Sequence, residues 1–104
     1  MTIVQEIAAE AAREIQRLGW WSKSNKATSP VGVCIFLAVG HACDHSDGGK
    51  VPLRETVNAL LTKIGYPEVP LDADDFARDL IMWNDAPGRT EAEVLKALEL
   101  VASS

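Results

Sequence analysis

The side chains best suited to chemistry cluster where an apolar segment ends near the middle of the chain. His41, Cys43, Asp44, His45 and Asp47 lie within the run HACDHSD. If the preceding segment is helical, Cys34, His41 and His45 share one face, at offsets of seven and eleven residues. Thiolate and imidazole are good zinc ligands, and three of them suffice for an open catalytic site. The spacing matches no standard zinc signature, however, and the chain has no CxxC pair. The same residues also read as a small core cysteine and two histidines at a helix end, where a cation suits the dipole. A thiol nucleophile at Cys34 with His41 or His45 as its base would use the same atoms. On a continuous helix His41 stands two turns further on, roughly 10 Å away at ~1.5 Å per residue, which is too far for proton transfer. A metal-dependent or thiol enzyme on the Cys34/His41/His45 face is therefore the alternative reading, and no cofactor is expected.

A second constellation is the run WNDAPGRT, residues 83–90. Pro87 ends a helix because it lacks an amide proton and restricts Ala86. Pro87-Gly88 suits the centre of a type II turn, and Thr90 caps the next helix. Trp83 falls on an apolar stripe with Phe76 and Leu80. Asn84, Asp85 and Arg89 have only optional local roles: Asn84 at a helix C-terminus, Asp85 in an Asx turn, Arg89 paired with Asp85. Such an exposed pair is worth roughly 0–1 kcal/mol. These three are accordingly candidates for binding a partner. A third group is Trp21 with Lys23 and Lys26, an aromatic beside bases, as enriched at binding hot spots. Trp21 serves equally well as a lid on the core. The chain has no P-loop, dinucleotide-binding glycine pattern or serine-hydrolase elbow.

These residues must be positioned by helices. Thr2 and Gln5 form a capping box, and Val4, Ile7, Ala8, Ala11, Ile15 and Leu18 recur at helical spacing. Glu6, Glu10, Arg13, Glu14 and Arg17 take the other faces. Gly19 stops this helix, with Trp20 folding back onto Ile15. Residues 21–29 read as a loop, and Ser29-Pro30 as the start of a buried helix running to about Cys43. A strand through Val31, Val33, Ile35 and Val39 is the less favoured reading of that segment. A third helix starts at Pro52, buries Leu53, Val57, Leu60, Leu61 and Ile64, and closes at Gly65. Asp72 and Asp75 cap a fourth, with Phe76, Ala77, Leu80, Ile81 and Trp83 inward. Thr90 and Glu93 box the last, which carries Val94, Leu95, Leu98 and Val101. The expected fold is all-α: a compact single-domain bundle of about five short helices over residues 1–104.

Composition narrows the function classes. Apolar residues make up 47% and charged residues 24%, as in soluble globular chains. The net charge of −5 opposes phosphate binding, so no nucleic-acid partner is expected. A helix-turn-helix built on the last two helices would place Glu91 and Glu93 at phosphates, opposed only by Arg89 and Lys96. No apolar run reaches the ~18 residues of a membrane span, and with no basic stretch followed by an apolar block at the start no signal peptide is expected. Two cysteines, Cys34 and Cys43, are too few for a disulfide framework, which predicts a cytoplasmic protein with reduced thiols.

The C-terminal segment resembles an uncharacterised family of small actinobacterial and actinobacteriophage proteins with a W-N-D-x-P-G-R-T signature. Trp83, Asn84, Asp85, Pro87, Gly88, Arg89 and Thr90 fill it, followed by an acidic, leucine-bearing helix. Leu18-Gly19-Trp20 and Cys34 in an apolar helix are looser matches. The resemblance implies a small helical fold and an actinobacterial or phage source, and no reaction. The reading that results is a non-catalytic protein acting by protein–protein interaction, such as a phage accessory factor that binds a host protein. A homo-oligomer is compatible with it.

Overall fold

Capping boxes set the two outer helices in a computed structural model that describes residues 2–22, 32–45, 50–67 and 75–104. Helix α1 spans Ile3–Leu18; Thr2 Oγ1 accepts from the Gln5 amide at 3.2 Å, and Gln5 Oε1 accepts from the Thr2 amide at 2.8 Å. Helix α5 spans Glu91–Ala102 behind the same arrangement of Thr90 and Glu93. Each box satisfies two amides that a helix start otherwise leaves without partners. Between them lie α2 (Ile35–His45), α3 (Lys50–Lys63) and α4 (Arg78–Asp85). The fold is all-α, as the periodicity predicts.

Helix α1 packs against α2, α3 and α5, and its Ile7, Ala8, Ala11 and Ile15 are wholly buried. Opposite them lie Ile35, Ala38, Val39 and Ala42 of α2, Val57, Leu60 and Leu61 of α3, and Val94 and Leu98 of α5. Helix α4 adds Leu80 and Trp83 to this one core. The radius of gyration is 12.4 Å, against about 13 Å for a compact chain of this length. Among the described residues, no helix is long and apolar enough to cross a membrane.

Four local expectations are corrected. The central helix starts at Ile35, and Gly32–Cys34 run outside it, with Val33 in a single parallel bridge to Trp20. Apolar Val31 and Val33 suit either conformation, so the hydrophobic pattern alone could not place the boundary. The expected cap at Ser29-Pro30 lies outside the described residues. Helix α3 begins at Lys50, two residues before Pro52, which remains in the first turn where its missing donor costs nothing. Helix α4 begins only at Arg78; Phe76 and Ala77 sit in the preceding turn, and Ile81 is exposed rather than inward. Asp72 lies outside the described residues.

The fourth correction is Glu14. Its position seven residues after Ile7 and three after Ala11 puts it on the edge of the inward stripe of α1, and it is 5% exposed. Its Oε1 lies 2.5 Å from Nδ1 of His41 on α2. A carboxylate sealed in this way requires a partner, and a charge-assisted bond from the half-exposed imidazole supplies it.

Candidate functional site

The site is built where α1 hands the chain to α2 and α4 hands it to α5. Gly19 ends α1 at φ 95° and ψ 160°, a conformation only glycine adopts readily. Its amide still bonds the Ile15 carbonyl at 2.8 Å, but the chain then leaves extended. The Val33 amide donates to the Gly19 carbonyl at 2.9 Å, and the Trp21 amide donates to the Val33 carbonyl at 3.0 Å. Two extended segments therefore lie side by side. A Cβ on Gly32 would stand 2.6 Å from the Gly19 carbonyl oxygen, so this crossing admits no side chain there.

Alternation along an extended segment sends neighbouring side chains to opposite faces. Trp20 is buried at 5% exposure, while Trp21 is 40% exposed. The buried indole needs an acceptor, and it finds one in the WNDAPGRT segment. Asn84 Oδ1 accepts from Trp20 Nε1 at 2.7 Å and from the Ile35 amide at 3.1 Å. Asn84 Nδ2 donates to the Trp21 carbonyl at 3.2 Å and to Asp85 Oδ1 at 3.0 Å. This amide is wholly buried, and both its donors and both its acceptor positions are used. One side chain thus ties α4 to Trp20, to Trp21 and to the first amide of α2. It is more than the helix-terminal residue local grammar suggests. Glu91, at the start of α5, accepts from the Trp20 amide at 3.1 Å and pins the same segment from the other side.

Arg89 is also tied inward. Its guanidinium carbon lies 4.2 Å from the centre of the Trp83 ring, a cation–π contact. Arg89 Nε donates to the Trp83 carbonyl at 3.0 Å, and Nη1 pairs with Glu93 at 2.9 Å. The expected partner, Asp85, is replaced by Glu93, one turn into α5. The Thr90 amide, ahead of the Arg89 charge, holds the Glu93 carboxyl below its usual range. Gly88 turns the chain at φ 86°, and the Arg89 amide closes the turn onto the Ala86 carbonyl at 3.0 Å.

The other candidates are scattered. Cys34 precedes α2, its carbonyl accepting from Ala38 and its thiol from the Leu37 amide at 3.4 Å. It occupies the capping position there. His41 turns Nδ1 toward Glu14, and His45 is the last residue of α2. Cys43 is buried, and that burial, with a contribution from Asp44, raises its thiol pKa, leaving it a poor nucleophile at neutral pH. Among the described residues, no three His, Cys, Asp or Glu side chains converge to hold a metal. The side chain of His45, and the whole of Lys23 and Lys26, lie outside the described residues. Sequence reasoning missed Gly32, Glu14 and Glu91, and the only signal available was the position of Glu14 on the apolar stripe.

Fold and site together define a small all-α domain in which a buried asparagine locks an extended double-tryptophan segment between helices. The chain belongs to DUF6197, a family of unknown function whose model matches residues 1–104. No curated protein and no solved structure matches it.

Proposed function

We propose that the protein is a non-catalytic binding module that engages another protein through Trp21. The observation that carries this reading is the way Trp21 is presented. An indole 40% exposed sits on backbone held on both sides, by the Val33 carbonyl and by Asn84. Rigid, exposed aromatics make good anchors because little conformational freedom is lost when a partner covers them. On this reading Asn84 acts as a positioning residue, fixing the segment that displays Trp21. Asp85 and Arg89 would flank the junction; Lys23 and Lys26, two and five residues on in sequence, lie outside the described residues. The resemblance of WNDAPGRT to actinobacterial and phage sequences supports a cytoplasmic accessory factor that binds a host protein.

The test is affinity capture from actinobacterial lysate with the full chain and with Trp21→Ala. Trp21 is outside the core, so the variant should keep its helical circular dichroism. A hot-spot aromatic is worth about 2 kcal/mol or more, hence recovery of the captured protein should fall roughly 30-fold. Equal recovery by both forms, or no specific capture by either, rules the reading out.

A further inference from the structure

A groove of about 330 Å³ runs between the end of α3 and the outer face of α5. Ile64, Trp83, Ala97 and Leu100 give it an apolar floor, and Arg89, Glu93 and Lys96 a charged wall. The volume is at the small end of the ligand-site range, with room for one side chain and a polar head. Glu93 is already engaged: Oε1 accepts from the Thr90 amide and Oε2 from Arg89. Arg89 is immobilised through Nε and Nη1, and Nη2 has no partner among the described residues. The Lys96 ammonium likewise has none. Two unused cationic donors therefore border an apolar floor, a local excess of positive charge on a chain whose net charge is −5.

We propose that this groove captures the free C-terminus of a partner polypeptide ending in an apolar residue. The terminal carboxylate would bridge Arg89 Nη2 and Lys96 Nζ, and the last side chain would lie against Ile64, Trp83 and Leu100. Two donors match the two oxygens of one carboxylate, and the apolar floor demands an apolar stem. Capture of a chain terminus is an established way of reading a peptide. Because the groove opens to solvent, it suits a chain end arriving from outside. Trp21 and the groups that hold its backbone do not line the groove, so Trp21→Ala leaves it intact and the two sites are tested separately.

The experiment is an NMR titration of the ¹⁵N-labelled full chain with a short peptide ending in leucine. Its C-terminal amide and octanoate are run alongside. Saturable shifts are expected at the Arg89 Nε–H and at the Lys96 and Leu100 amides with the free acid, and about tenfold weaker binding with the amide. Lys96→Gln, an exposed helix substitution that keeps the fold, should weaken the free acid by a similar factor. Equal binding of acid and amide overturns the proposal, as does the absence of saturable shifts at millimolar peptide. Binding of octanoate without binding of the peptide also overturns it, and assigns the groove to a fatty carboxylate.

Discussion

Asn84→Ala should destabilise the fold by about 3–5 kcal/mol, a large share of the roughly 5–15 kcal/mol that holds a small domain together. The substitution removes the partner of the buried Trp20 indole N–H and Ile35 amide and of the part-buried Trp21 carbonyl. Each stranded buried group costs about 1–3 kcal/mol, partly recovered if water enters the space. Asn84→Asp is the sharper variant because it keeps the shape. Its oxygens can still accept from Trp20 and Ile35, but it has no donor for the Trp21 carbonyl. It also sets a second carboxylate against Asp85, and a buried like-charge contact is costly. Urea unfolding should show the midpoint falling for both variants with little change in slope. A loss below about 1 kcal/mol for Asn84→Ala would fit a simple helix-terminal role instead.

Gly32→Ala is the second large effect, expected at about 2–4 kcal/mol although the added group is only a methyl. The new Cβ would meet the Gly19 carbonyl oxygen at 2.6 Å, the Gly19 carbonyl carbon at 2.8 Å and the Trp20 carbonyl carbon at 2.9 Å. All three are backbone atoms, so no rotamer change relieves the contact. Relief requires the two extended segments to part, and parting breaks the bonds from Val33 to Gly19 and from Trp21 to Val33. Gly40→Ala is the internal control. A Cβ there meets nothing among the described residues within 4 Å, and alanine favours the helix by up to about 1 kcal/mol. Thermal unfolding of the pair should move in opposite directions. Equal midpoints would show that the crossing is not the constraint described.

The helices were legible because their signals are local. Thr2 with Gln5 and Thr90 with Glu93 act within one turn, and the stripes of α1 and α5 follow from spacing alone. The junction was not legible, since its bonds span the chain. Asn84 reaches partners 49, 63 and 64 residues away. A residue with three distant bonds looks, in sequence, like a polar residue near a proline. Gly32 gave no warning for the same reason: its neighbours Gly19 and Trp20 belong to another element. Glu14 was misplaced because its charge outweighed its position on the stripe, and only the approach of His41 makes that position tolerable. The stop at Gly19 already turns Trp20 inward, but the pairing with Val33 that holds the segment extended joins residues 13 apart and leaves no local signal.

Hydrogen exchange of the tryptophan indole protons tests most directly that Asn84 locks the Trp20–Trp21 segment. The Trp20 indole proton is bonded to a buried acceptor, so it should exchange only when the whole domain unfolds. The Trp21 indole, on the exposed face, should exchange orders of magnitude faster. In Asn84→Ala the Trp20 protection should collapse toward the Trp21 rate, beyond what the loss of global stability accounts for. If the two indole protons exchange at similar rates in the wild-type protein, the lock does not exist.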